Sequence, residues 1–297
     1  MGRSGVSRRD LFGAGLRRLV PDLDEPDPPR PPADRPETLA ERRARWRLAA
    51  EASGEQTLFD AAHPTVLEAG GCSAGDRLLD AGAGTGALAL AAAARGARVT
   101  ACEPVGALAA LGRERSAGQP AVRWVEAELD ALPFATGSFD HAVCAFGLTT
   151  CPRPREAVAE IARVLAPGGT LVLGAWHPAG PIGRLLKLAE RWDPSPPGTV
   201  SPLAATREER LRQDLDHHAD PVEFSFAEVR LVFSDAQEAG DRLIGALAPV
   251  AAALGADAGP RRAQAVRSLA EAGDEAGGGL VLRAAFLVVV ARRRVLT

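Results

Sequence analysis

Short apolar runs, punctuated by glycine and proline, fill the chain between residues 65 and 176. Those at 77–80, 97–102, 121–125, 139–145 and 170–176 have the length and composition of buried strands. Helical stretches lie between them. Residues 87–95 are Ala-rich and stop at Gly96; another helix opens at Pro104, where proline is tolerated in a first turn; a third covers 154–165. A helix near 66–69 ends at Gly70 and Gly71, just before the first strand. Strands alternating with helices predict a parallel sheet covered on both faces, with right-handed crossovers.

Beyond Trp176 the pattern changes. Stretches 183–191, 208–215, 235–254 and 259–272 read as helices, and 193–202 as a proline-stiffened loop. Val222, Phe224 and Phe226, then Val229, Leu231 and Phe233, alternate with polar neighbours and predict one strand or a bent pair. Glycines 277–279 lead into a last strand at 280–291. The expected fold class is α/β: a seven-stranded, mostly parallel sheet with helices on both faces and a helical lid. Its last two strands should form an antiparallel edge pair. Upstream, the proline-rich stretch 21–36 reads as an extended linker, and Thr38 with Glu41 forms a capping box for a helix through Trp46. The expected organisation is a disordered basic arm and linker at 1–37 and one domain at 38–297. Within it lie a core at 65–176 and a helical cap with terminal strands at 177–297. The cap and the helix near Trp46 should cover a pocket with an apolar lid.

Composition narrows the class. A net charge of -3 lacks the basic excess of a nucleic-acid binder. No apolar run reaches the length of a membrane span. SRRDLFG at 7–13 resembles a twin-arginine export motif, but Arg17, Arg18 and Pro21 interrupt the apolar stretch such a signal needs. A retained arm and a cytoplasmic protein are therefore expected. Cys72, Cys102, Cys144 and Cys151 form no CxxC pair and no metal-finger spacing, which fits reduced thiols.

The stretch that carries chemistry is LLDAGAGTG at 78–86, where a strand runs into Asp80 and then a turn with Gly82, Gly84 and Gly86. In an open parallel sheet, ligands bind beyond the carboxyl ends of the strands. Glycines let the backbone approach a ligand there, and the next helix aims its amides at the same place. Gly82, Gly84 and Ala87 satisfy the G-x-G-x-x-A dinucleotide pattern. Glu103, at the end of the second strand, suits the ribose of any nucleoside, so neither feature decides. Asp80 points to a cationic nucleoside, because a carboxylate repels a neighbouring pyrophosphate.

Four blocks extend the pattern: LLDAGAGTG, CEP at 102–104, EAELDALPFATGSFD at 126–140 and IARVLAPGG at 161–169. In order and spacing they resemble the class I S-adenosylmethionine-dependent methyltransferases, and are similar to the group that includes the ubiquinone and menaquinone biosynthesis enzymes. The resemblance covers 65–176. It implies S-adenosyl-L-methionine as cofactor and a small, partly apolar molecule as methyl acceptor. It also implies a site. Gly82, Ala83, Gly84 and Gly86 would pack against the methionine part, with Asp80 holding the loop or, through water, the ammonium. Glu103 would take both ribose hydroxyls, Leu129 and Phe134 would flank adenine, and Ala145 would close the pocket at the fourth strand. Glu128 stands where the family usually has an adenine-contacting Asp, with Asp130 or an amide near Leu129 as substitutes.

On the acceptor side, relatives often carry His where Thr149 and Thr150 stand. The Asn-Pro-Pro-Tyr motif of base and glutamine methyltransferases is absent. His177, after the fifth strand, is the candidate for acceptor contact or base, and Trp176 either walls the pocket or packs on helices. His63 and His141 read as structural. His217 and His218, between Asp216 and Asp220, read as a surface loop, and no metal is expected. Two alternatives stay open: a non-catalytic cofactor-binding relative, on account of Thr149, Thr150 and Glu128, and an NAD-dependent oxidoreductase, on account of the glycine pattern.

Overall fold

The computed structural model describes residues 58–195 and 200–295, together with helical positions at Ala40, Glu41, Ala44 and Leu48. The predicted arm, the linker and most of the helix through Trp46 lie outside the described residues.

A short 3-10 turn, Asp60–Ala62, leads into α1 (His63–Ala69). Strand and helix then alternate: β1 (Arg77–Ala81), α2 (Ala87–Ala94), β2 (Arg98–Cys102), α3 (Gly106–Arg115), β3 (Val122–Val125), β4 (Phe139–Ala145), α4 (Pro154–Val164) and β5 (Leu165–Trp176). Three helices follow, α5 (Pro181–Trp192), α6 (Pro202–Ala205) and α7 (Glu208–Leu215), before β6 (Ala219–Phe233). The chain continues through α8 (Ala236–Ala246), α9 (Ala248–Ala253), α10 (Ala258–Ala272), β7 (Asp274–Ala276) and β8 (Gly279–Arg293).

The strands form one sheet in the order β3-β2-β1-β4-β5-β8-β6, with β7 paired to β8. β1 to β5 are parallel; β8 runs antiparallel between β5 and β6. Strand alternation sends successive residues to opposite faces. Leu78, Val143 and Val172 therefore join a core under α1, α2, α5, α8 and α10, while Leu79, Ala142, Leu171 and Leu173 join one under α4 and α7.

Three departures from the sequence pattern have local causes. The sheet has eight strands, because Asp274–Ala276 makes a short exposed pairing with β8 that no apolar run signals. The helix expected over 235–254 breaks at Leu247, whose backbone is extended, and restarts as α9 with Pro249 in its first turn. The helix expected from Pro104 starts at Gly106, because the Glu103 carboxylate takes the Val105 amide at 2.9 Å and holds that residue extended.

Trp124, on β3, locks the first two crossovers together. Its indole Nε1 donates to Ser116 Oγ at 2.9 Å. Its ring fills space left by two glycines: a Cβ would lie 2.1 Å from it at Gly112 in α3 and 2.7 Å at Gly86 before α2. Gly112→Ala is expected to destabilise the fold by about 1–3 kcal/mol through overpacking, read as a lower midpoint in urea or thermal unfolding.

Candidate functional site

β1 and β4 are neighbours although β2 and β3 intervene in sequence, so strand order reverses between them. That is where an open α/β sheet leaves a crevice at the carboxyl ends of its strands. A cavity of about 220 Å³ opens at this point.

One side of it is the glycine turn. Gly82 and Gly84 have φ of 80° and 55°, a left-handed conformation that glycine adopts without a steric penalty. The amides of Gly82 and Ala83 both donate to the Cys102 carbonyl, at 2.8 and 3.0 Å, tying the turn to the end of β2. Glu103 follows. It is buried, and its carboxylate accepts from the Gly84 amide at 2.8 Å and the Val105 amide at 2.9 Å. Of the residues named from the sequence, Gly82, Ala83, Gly84, Glu103, Glu128, Leu129 and Ala145 line the cavity.

The opposite side is aromatic. Phe146 stacks on Trp176 with ring centroids 3.9 Å apart and 9° between planes, and Phe59 lies 4.9 Å from Trp176. All three rings line the cavity, which places Trp176 in the pocket wall. Phe146 does so from a φ of 65°, the one positive φ at a non-glycine among the described residues. Beside the rings lie Asp60 and His63, and the break between α8 and α9, Leu247 to Pro249, closes that end. Thr149 also lines the cavity, with a buried hydroxyl that has no hydrogen-bond partner.

Several predicted residues stand elsewhere. Asp80 is 1% exposed and does not line the cavity. Its carboxyl meets the backbone amide of Ala89 in the first turn of α2. Gly86, the residue before that helix, has no side chain to satisfy those amides, and Asp80 Oδ2 is buried without a hydrogen-bond partner. Gly86 itself faces Trp124 rather than the cavity. Phe134 packs edge-on against Phe139 at 5.1 Å and is absent from the lining. The cause is Arg163 on α4, whose guanidinium binds the carbonyls of Leu132 and Phe134 and draws that loop onto the helix. Asp130 is paired with Arg153 at 2.6 Å, likewise outside the lining.

His177 is also outside the lining. Trp176 faces the cavity, so the next residue along an extended chain points the other way. Its ring lies edge-on to Phe226 at 5.6 Å, and its Nδ1 accepts from Ala179 at 3.3 Å. His141 bonds Asp76 near the amino end of β1, and His217 lies in a hollow with Arg155, Arg210, Arg212, Asp214 and Asp216.

Phe59, Asp60 and His63 were not expected in the site. They precede the first strand and carry no motif of their own; only the packing of α1 and its leading turn onto the sheet brings them over the cavity.

With this geometry in view, residues 79–173 match the family model described as a methyltransferase domain. An uncharacterized protein of Mycobacterium tuberculosis is 34% identical over 175 residues, 58% of this chain and 64% of that protein. A demethylmenaquinone methyltransferase of Clavibacter sepedonicus is 43% identical over 100 residues, 34% of this chain and 41% of that protein. The chain thus spans less than two thirds of the length of the curated relatives it matches. Among solved structures, the YcgJ protein of Bacillus subtilis superposes with a TM-score of 0.57 at 18% identity, covering 79% of this chain and 98% of that one. The likeness at that identity is one of fold. Residues 79–173 thus resemble a methyltransferase domain, and the fold around them is Rossmann-like.

Burial, followed by the charge of Glu103, raises the Asp80 pKa to about 7. The folded state therefore favours the protonated acid. Stability from this site is full below the ordinary carboxylate range and is lost as pH rises through about 7. Asp80→Asn should remove that dependence: urea midpoints of the wild type should fall relative to the variant as pH rises toward and past neutrality.

Proposed function

We propose that the protein transfers a methyl group from S-adenosylmethionine to a small, partly apolar acceptor. One observation carries this reading. Asp60, Glu103 and Glu128 line the cavity, and among the described residues no Lys or Arg does. A pyrophosphate would meet three carboxylates there, whereas a nucleoside bearing an ammonium and a sulfonium meets complementary charge. This weighs against the NAD-dependent reading. It also moves the electrostatic selection from Asp80, which lies behind the turn, to these three side chains.

The donor set fits the cofactor. A carboxylate has about four acceptor positions, so Glu103 can serve ribose hydroxyls as well as the amides of Gly84 and Val105. Glu128 and Leu129 lie after β3, where an adenine edge would find one polar and one apolar neighbour. At Gly84 an added Cβ would meet nothing within 4 Å, so backbone stands open to the methionine part. When bound, the cofactor supplies an electrophilic methyl on a cationic sulfur.

The chain's own part is placement and exclusion of water. The acceptor enters against Phe59, Phe146 and Trp176, under the turn between α8 and α9. That apolar wall gives the C-terminal helices the role of a cap, and supports a catalytic domain over a purely cofactor-binding one. The unpartnered Thr149 hydroxyl is positioned for a polar group of either ligand. We place the protein in the cytoplasm, with free thiols at all four cysteines and no helix among the described residues long and apolar enough to cross a membrane. No nucleic-acid partner is proposed.

Calorimetry with S-adenosylmethionine and with NADH tests the reading. The first should bind and the second should not. Glu103→Ala should weaken binding by about 1.5–3 kcal/mol, the range for a hydrogen bond to a charged group. NADH binding without an S-adenosylmethionine response would reverse the assignment.

A further inference from the structure

Among the described residues, one imidazole lines the cavity, that of His63. It opens α1, three residues after Asp60 at the head of the preceding 3-10 turn. Its Nδ1 is buried without a hydrogen-bond partner and lies 3.7 Å from Asp60 Oδ1. Nε2 is left as the edge the ring turns toward the cavity. A neutral imidazole carries one N–H, and a carboxylate beside Nδ1 keeps it there, which makes Nε2 a bare acceptor. The 3.7 Å separation exceeds a hydrogen bond, but such contacts commonly tighten when substrate binds.

Asp60 is itself held. Its Oδ2 lies 3.5 Å from Arg115 Nη2, and Arg115 Nη1 reaches the Thr85 carbonyl and hydroxyl at 3.3 and 2.5 Å. One guanidinium on α3 therefore joins Asp60 to the glycine turn. At the same time the His63 ring is 6.4 Å from Phe146, at the aromatic end of the cavity. The pair thus stands between the two regions that a methyl donor and its acceptor would occupy.

We propose that His63, oriented by Asp60, is the base that takes the proton from an attacking hydroxyl of the acceptor. The proposal rests on the methyltransferase reading above and deepens it: the acceptor carries a weakly acidic O–H. An amine attacks through its own lone pair and needs no base at that moment; a hydroxyl oxygen becomes a good nucleophile only as its proton leaves. The oxygen–carbon bond forms as the carbon–sulfur bond breaks, the sulfur keeps the electron pair, and the proton passes to Nε2. One positive charge is lost at sulfur and one appears on the imidazole, where Asp60 stabilises it.

Burial, followed by Arg115, lowers the His63 pKa to about 4, so the ring is unprotonated through the neutral range. The charged groups that face it are Asp60 on its own turn and Arg115 on α3, with Glu103 and Glu128 on the same cavity. Loss of the sulfonium charge during transfer strengthens the base at the moment it is needed.

Two measurements test this. The first needs no turnover: nitrogen-15 NMR of the histidines in the full chain without cofactor, with His63 assigned by its loss in His63→Gln. At neutral pH the proton should sit on Nδ1 and leave Nε2 bare, and Asp60→Asn should mix the tautomers. An Nε2–H tautomer or an imidazolium in the wild type overturns the proposal. The second follows labelled methyl transfer from S-adenosylmethionine to para-substituted phenols of graded acidity. His63→Gln should lose about 10²–10⁴-fold with weakly acidic phenols and far less with 4-nitrophenol, which ionises near neutrality unaided. An equal loss across the series overturns the proposal, as does a wild type that binds S-adenosylmethionine yet methylates no phenol. A His63→Gln protein with weakened cofactor affinity and unchanged acidity dependence makes His63 a cofactor ligand and overturns it too. Failure of the wild type to bind S-adenosylmethionine, seen before any phenol is added, removes the methyltransferase reading itself and this proposal with it.

Discussion

The carboxylate of Glu103 sits where the glycine turn meets the start of α3, and both depend on it. It accepts the amides of Gly84 and Val105, so neither loop can move without breaking a charge-assisted hydrogen bond. At 5% exposure it needs those partners, since a buried charge without them is strongly disfavoured. The same charge acts through the turn on Asp80, which burial and Glu103 together hold protonated well above the usual carboxylate range. The turn is thus braced on the cavity side by Glu103, with Asp80 buried behind it.

How much of this was legible in the sequence depends on how local the cause is. The parallel strands β1 to β5 and their crossovers followed from short apolar runs and glycine stops, and β4 matched residue for residue. β7 has the sequence Asp-Glu-Ala and pairs through backbone alone, so no side-chain pattern announces it. Gly82, Gly84 and Glu103 stand on the cavity at the carboxyl ends of β1 and β2, where the strand pattern alone points, while Glu128, Leu129 and Ala145, which also line it, were named through the family resemblance. Phe134 was not, because an arginine 29 positions away decides where its loop lies. His177 and Trp176 are adjacent in sequence but separated by strand alternation, which a reading of the cleft by position alone does not resolve. Phe59, Asp60 and His63 required tertiary packing of α1 against the sheet.

Phe146 shows how the aromatic wall is built. A non-glycine residue held at positive φ costs about 1–3 kcal/mol and persists only where its surroundings impose it. Here the Phe146 amide donates to the Gly174 carbonyl at 3.0 Å, and a Cβ on Gly174 would lie 3.5 Å from the Phe146 ring. Gly174 on β5 lies against the ring, and Phe286 closes edge-on at 5.5 Å. The strained turn at the end of β4 therefore lays a flat apolar face onto Trp176.

That face and the carboxylates divide the cavity by chemistry. Around Glu103 and Glu128 a cation is stabilised and a phosphate repelled; around Phe59, Phe146 and Trp176 an anion loses hydration without recompense. In the proposed reaction charge changes hands at the boundary, where His63 and Asp60 line the cavity beside Phe146. A reaction that neutralises a cation on the acidic side and releases a proton on the apolar side needs a neutral base with an anionic neighbour at that junction. Arg115 joins that boundary to the glycine turn, through Asp60 Oδ2 on one side and the Thr85 hydroxyl on the other.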